Sequence, residues 1–251
     1  MRAIRFAVGR REEACQLNTI RAAISELVAT ALYVFAAEGS TLALGKLYGS
    51  TSHASGLLLV ALAHGFAYSA AVAVSSSLSS GYANPAITFG ALLGGRISLI
   101  RALFYWSAQL LGSVGASLVL RITTGGMRPH GLSLALGVSG WNALLLEAVT
   151  SFGLMYAIYA TSIDPRRGTG NAIAPVAAGF FVSANTIAGG PFDGAAMNPA
   201  RVFGPALVGW RWGNHWVYWI GPFLGSGFAG LIYECLMIPQ EFAPCTSSIV
   251  V

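Results

Sequence analysis

Two copies of the triplet Asn-Pro-Ala stand in the chain, at Asn84-Pro85-Ala86 and Asn198-Pro199-Ala200, offset by 114 residues. Asparagine suits the N-cap of a helix, and proline suits the first turn, where its missing N–H costs nothing. Each triplet can therefore open a helix with an asparagine amide at its tip. Aligned peptide dipoles place about half a positive elementary charge at such a tip. Two tips facing one narrow passage repel cations, hydrated protons included. Each amide can also donate a hydrogen bond into that passage. A water molecule that accepts from both turns its own hydrogens outward and cannot relay a proton. The chemistry implied is selective passage, with no bond made or broken. A single Asn-Pro-Ala is an ordinary turn or helix start. The reading rests on the pair.

Arg201, Glu26 and Glu147 are ionisable residues in largely apolar stretches. Arg201 follows the second triplet directly, and an unpaired arginine buried there would cost several kcal/mol. It must therefore line water or find carbonyl partners. Glu26 and Glu147 lie inside apolar runs, offset by 121 residues. A proton relay is one reading of such acids. Their matching positions favour a buttress that accepts backbone N–H bonds from the triplet loops.

These residues need a scaffold. The chain has 251 residues, 55% hydrophobic and 9% charged, against about 25% charged in a soluble domain. That composition belongs to the membrane class. Six apolar stretches, at about 21–44, 57–76, 102–122, 141–161, 171–189 and 215–237, are long enough to cross a hydrocarbon core of about 30 Å. Turn-rich links such as Thr124-Gly125-Gly126 and Asp164-Pro165 separate them. The segments after the two triplets are apolar but short. A ten-residue helix covers about 15 Å, half the core, so each reads as a re-entrant half-helix.

The chain repeats itself. The run Phe104-Tyr105-Trp106-Ser107-Ala108-Gln109-Leu110-Leu111-Gly112-Ser113 returns as Val217-Tyr218-Trp219-Ile220-Gly221-Pro222-Phe223-Leu224-Gly225-Ser226. The chain is thus two halves of three spans each, 21–123 and 141–238, within a channel domain of 21–238. Three is odd, so the second half is inverted, which brings the half-helices in from opposite faces. Residues 1–20 and 239–251 form a leading segment and a tail. With the N-terminus in the cytosol, nine basic residues fall on the cytosolic side and four opposite, Arg201 set aside. This bias fits the positive-inside rule and puts both termini in the cytosol. The first 20 residues lack the apolar core of a signal peptide.

The whole chain, from about residue 10 to 240, resembles the major intrinsic proteins, or aquaporins, and most of all their plant tonoplast intrinsic protein subfamily. The resemblance is carried by Phe35-Ala36-Ala37-Glu38-Gly39-Ser40, Ala63-His64-Gly65-Phe66-Ala67, Asn84-Pro85-Ala86 and Ile163-Asp164-Pro165-Arg166-Arg167-Gly168. Further on it is carried by Gly189-Gly190-Pro191-Phe192, Ala196-Met197-Asn198-Pro199-Ala200-Arg201 and His215-Trp216-Val217-Tyr218-Trp219. It implies an all-α membrane protein of six spanning helices and two half-helices, assembled in the lipid as a homotetramer with one pore per subunit. It also implies residence in the vacuolar membrane.

The resemblance further implies a second constriction, on the non-cytosolic side of the asparagines, formed by His64, Thr186, Ala195 and Arg201. His64 and Arg201 are polar donors; Thr186 and Ala195 are small. Water-strict relatives tend to fill those two places with bulkier groups. The expectation is a pore wide enough for ammonia, urea, hydrogen peroxide or glycerol beside water. His130 matches a place that some relatives use near the pore mouth; a solvated loop histidine is the other reading. The subfamily's usual Ser-Gly-Gly-His-Val before the first triplet is here Ser79-Ser80-Gly81-Tyr82-Ala83, which predicts a narrower cytosolic vestibule. Its frequent isoleucine at the fifth-span filter place is here Thr186.

Other features read as structural. Gly112, Ala116, Gly221, Gly225 and Ala229 suit close helix packing. Trp106, Trp216 and Trp219 with Tyr105 and Tyr218 read as interfacial anchors. Cys15, Cys235 and Cys245 have no metal or disulfide spacing. No basic stripe suits nucleic acid, and no nucleophile–base pair, metal cluster or cofactor motif suggests an enzyme. The main alternative is a coupled secondary transporter of a small polar solute, which shares inverted repeats and broken helices but needs an ion-coordinating midplane site.

Overall fold

The structure is a computed structural model that describes residues 7–49, 54–128, 132–167 and 172–239. Its regular elements among those residues are all helices. One short turn, α1 (Arg11–Ala14), precedes α2 (Leu17–Tyr48), α3 (Ala54–Ser79), α4 (Pro85–Leu93) and α5 (Leu99–Thr123). The second half follows as α6 (Gly140–Ile158), α7 (Ile173–Asp193), α8 (Pro199–Gly209) and α9 (Val217–Ile232). Both α6 and α9 end in a wider turn, Tyr159–Ile163 and Tyr233–Met237. In the first, the Asp164 N–H reaches back five residues to the Tyr159 carbonyl at 2.9 Å.

Six helices, counting those wide turns, are long and apolar enough to span a membrane. They overrun the apolar stretches read from the sequence. Helix α2 begins at Leu17, inside the leading segment, and ends at Tyr48. Hydropathy marks the part of a helix in hydrocarbon, and polar residues such as Asn18, Thr19 and Lys46 still continue it on either side. Helix α7 runs past Gly189 and through Pro191 to Asp193. Proline removes a single backbone donor there, in the final turn. Of the expected tail, residues 240–251 lie outside the described residues.

Packing follows the repeat. In the first half α2 lies against α3 and α5; in the second, α6 lies against α7 and α9. Helices α3 and α7 join the halves, and each half-helix crosses over, α4 to α9 and α8 to α5. Both joints need glycine. A Cβ on Gly65 would sit 2.5 Å from the Gly179 carbonyl, and one on Gly179 would collide with the Gly65 carbonyl. Gly90 in α4 would meet the Ser226 carbonyl at 2.6 Å, and Gly204 in α8 would collide with the Ser113 carbonyl. Gly90 and Gly204 are 114 residues apart, as are Gly65 and Gly179. The sequence repeat is therefore a repeat of backbone contacts. Gly112, Gly221 and Gly225 also abut neighbouring backbone or side chains, as close packing requires.

The face that carries α1 is knitted by polar contacts. Ser98 Oγ donates to Glu13 at 2.8 Å, and the Leu99 N–H to the Ala7 carbonyl at 2.9 Å. Arg96, just past α4, pairs with Glu234 at 2.9 Å. The described ends of the chain thus lie on one face. Outside the spans on that face, hydrogen bonds from Arg166 hold the Asp164 carboxyl down at about 2. Long apolar side chains such as Leu32, Phe66, Leu111, Phe180 and Phe228 are exposed on the outside of the bundle, as lipid contact requires.

Two of the expected interfacial anchors are instead interior. Tyr105 and Tyr218 are buried. The Tyr105 ring meets Tyr82 edge-on, and the Tyr218 hydroxyl donates to the Asp193 carbonyl at 2.8 Å. Each lies on the side of its helix that faces the re-entrant loops, so packing outweighs the aromatic preference for the interface.

Candidate pore

Asn84 and Asn198 are the N-caps of α4 and α8, and Pro85 and Pro199 open those helices. Asn84 Oδ1 accepts from the Ala86 N–H at 2.8 Å; Asn198 Oδ1 accepts from the N–H groups of Ala200 at 3.0 Å and Arg201 at 3.3 Å. The caps fix both amide groups with their nitrogens away from their own helices. Each nitrogen then crosses to the other half. Asn84 Nδ2 donates to the Met197 carbonyl at 2.8 Å, and Asn198 Nδ2 to the Ala83 carbonyl at 2.9 Å. An amide nitrogen has two hydrogens. One is used across the interface, and one is left to donate elsewhere.

The loops leading into the half-helices are bent alike. Ser80, Gly81 and Ala83 have φ of 73°, 68° and 47°; Gly194, Ala195 and Met197 have 92°, 46° and 53°. The three pairs are each 114 residues apart. Left-handed backbone at alanine, serine or methionine is costly and must be held by its surroundings. Glu26 accepts from the N–H groups of Tyr82 at 2.9 Å and Ala83 at 2.6 Å, and also from Ser79 and Gln109 at 2.7 Å each. Glu147 accepts from the N–H groups of Ala196 at 2.5 Å and Met197 at 2.7 Å. Both glutamates are fully buried. These acceptors take up backbone N–H groups that would otherwise be buried without partners, and so hold the bent loops.

The four residues expected at a second constriction sit on three elements and a loop. His64 is fully buried in α3; its Nδ1 lies 2.8 Å from the Val60 carbonyl, and its Nε2 has no protein partner. Thr186 in α7 turns its hydroxyl onto the Val182 carbonyl at 2.7 Å, so its methyl and Cβ face outward from that bond. Ala195 lies in the loop before α8. Arg201, in the first turn of α8, donates through Nη1 to the carbonyls of Gly194 at 3.2 Å and Ala195 at 3.1 Å. The Arg201 charge acts electrostatically on the His64 imidazole. His130 lies outside the described residues.

Sequence reasoning gives no role to two carboxylates. Glu38 in α2 is buried and lies 3.5 Å from Arg201 Nε. Asp193, which ends α7, is fully buried, and its Oδ1 accepts the Ala195 N–H at 2.8 Å. A count of acids in apolar runs would have found Glu38 beside Glu26 and Glu147. Among the described residues no group of three metal-ligating side chains comes together.

The chain matches the family described as Major intrinsic protein over residues 13–233. It is 68% identical to "Probable aquaporin TIP3-1" of Oryza sativa subsp. japonica over 95% of this chain and 90% of that one. It is 66% identical to "Aquaporin TIP3-1" of Zea mays over 95% and 91%. In fold it is similar to the X-ray structure of the aquaglyceroporin from Plasmodium falciparum, with a TM-score of 0.76, 20% identity, and coverage of 87% of this chain and 97% of that chain. Paired caps, mirrored loops, family match and relatives agree: this chain belongs to the major intrinsic protein family, within the tonoplast intrinsic protein branch of the aquaporins.

Proposed function

We propose that the chain is a passive channel for water and small neutral solutes, with Asn84 and Asn198 at its centre. The observation that carries this reading is the reciprocal crossing of the two amides to Met197 and Ala83. It ties two positive helix ends together and leaves each amide one hydrogen for a passing water. A water held between the two donors cannot hand a proton on, and two positive tips repel cations. The family is one of channels, so no chemical step is asked of the protein.

His64, Thr186, Ala195 and Arg201 form the selective constriction in this reading. Its polar atoms are His64 Nε2, an acceptor in the neutral ring whose Nδ1–H donates to the Val60 carbonyl, and the untied donor edge of the Arg201 guanidinium; its small members Thr186 and Ala195 leave room. Ammonia, urea, hydrogen peroxide and glycerol are the solutes that fit. Glu26 and Glu147 serve the pore as loop supports rather than relays. Each carboxylate is occupied by backbone donors, which argues against a coupled transporter. His130 remains a candidate for the pore mouth.

The protein acts as a homotetramer in lipid, with both termini in the cytosol and the vacuolar membrane as its home. The support is the exposed apolar girdle, the arginine-rich face that carries α1, and the names of the relatives. Stopped-flow light scattering on proteoliposomes tests the solute range. Inward gradients of urea, ammonia and glycerol should each relax faster than in empty vesicles. Water flux with no acceleration for any of the three would leave a strict water pore.

A further inference from the structure

Arg201 carries its charge where charge is hardest to hold. Its side chain is 4% exposed, and it stands in the first turn of α8, beside the positive end of that helix. Two carbonyls take up Nη1. Nε is buried and has no hydrogen-bond acceptor. The group facing it is the Glu38 carboxylate, 3.5 Å away and itself 5% exposed. That distance is long for a hydrogen bond but short for a Coulomb contact away from bulk water.

The repeat makes the pair informative. Arg201 is three residues after Asn198; the matching place after Asn84 is Ile87. Glu38 is twelve residues after Glu26; the matching place after Glu147 is Tyr159. One end of the pore therefore carries both charges, and the symmetry-related place at the other end carries neither. A carboxylate that only packed α2 into the bundle would have no reason to break the symmetry together with the arginine. Glu38 also differs in its contacts from Glu26 and Glu147, which hold backbone N–H groups. Among the described residues, its ionic contact is Arg201.

The geometry points to Glu38 as the positioning residue for Arg201, holding the guanidinium against the pore wall and so setting the open width of the outer constriction. The inference rests on the channel reading above. With Glu38 in place, Nη1 is held by the loop and Nε by α2. Without its charge, the Nε edge has no partner on the wall. Its remaining partner is water in the lumen. The guanidinium then turns inward and narrows the passage, which affects wide solutes more than water.

The test is the ratio of urea to water permeability in proteoliposomes of the full-length protein. Glu38→Gln should lower that ratio about threefold or more, in line with the coupling of contacting residues. Glu38→Asp, which keeps the charge at a shorter reach, should recover part of it. In an Arg201→Val background, Glu38→Gln should leave the ratio where Arg201→Val alone puts it. The same fall in both backgrounds, or no fall with Arg201 present, overturns the assignment. A purely structural role would lower water and urea flux together. Should Glu38→Gln not assemble, Glu38→Asp decides alone: an intermediate ratio supports the assignment and a wild-type ratio overturns it. Wild-type vesicles that pass water but not urea also overturn it. Wild-type vesicles that pass no water overturn the channel reading itself.

Discussion

The side-chain nitrogen of Asn84 and the backbone carbonyl of Met197 lie 2.8 Å apart, joined across the boundary between the two halves of the chain. Its mirror image joins Asn198 to Ala83 at 2.9 Å. Each asparagine ties its helix tip to the opposite loop, and in the proposed channel it also donates to passing water.

Asn198→Asp tests that double role. A carboxylate in place of the amide has no hydrogen for the Ala83 carbonyl and sets two acceptors face to face. The cost should be about 1–3 kcal/mol, read as a lower melting temperature in detergent. The added negative charge should also weaken cation exclusion, read as faster sodium entry into proteoliposomes.

The two buried glutamates should differ in their sensitivity. Glu26 accepts four hydrogen bonds and Glu147 two, as recorded among the described residues. Removing a buried acceptor leaves its donors unpaired, at about 1–3 kcal/mol each. Glu26→Ala should therefore lower the melting temperature and the yield of assembled protein more than Glu147→Ala does. Equal losses would mean that the side-chain donors Ser79 and Gln109 add nothing.

Gly65→Val should break the crossing of α3 and α7. Its Cβ alone would lie 2.5 Å from the Gly179 carbonyl, and overpacking of this kind costs about 1–3 kcal/mol or more. Thermal unfolding of the purified protein reads the loss. Gly45→Val, where a Cβ meets nothing within 4 Å, should have little effect.

The link after α6 should give the protein an acid-sensitive corner. Asp164 titrates at about 2, held down by hydrogen bonds from Arg166, against about 3.9 in an unfolded chain. A lowered folded pKa adds stability that is complete above the unfolded value. It is lost as the pH falls from about 4 toward 2. Asp164→Asn should melt below wild type at pH 6, and the two melting temperatures should converge as the pH is lowered through that window.

Much of this arrangement is legible in the sequence, and the limits have physical reasons. The half-helices follow from Asn-Pro-Ala because capping and proline geometry are local. The loop-supporting place of Glu26 and Glu147 follows from symmetry, since a buried acid found twice must meet the same need twice. Helix ends were less legible: hydropathy reports hydrocarbon, and α2 and α7 continue beyond it. Glu38 carries no separate signal of its role in the sequence. Its partner lies more than 160 residues away, and it has no counterpart in the repeat to draw attention to it. The left-handed backbone at Ala83 and Met197 was also hidden. Neither residue type favours it, and the glutamate and asparagine bonds that hold it come from elsewhere in the chain. Tyr105 and Tyr218 carry a belt-like signature, but the loops they pack against come from elsewhere in the chain.

The central claim is that two helix tips meet around a wet file that passes water and stops protons. Proteoliposomes loaded with a pH-sensitive dye test it in one stopped-flow instrument. An osmotic step should shrink them many times faster than empty vesicles. A proton gradient applied to the same preparation should decay no faster than in empty vesicles. Proton entry that rises in step with water flux, or water flux no greater than that of bare lipid, would contradict the account.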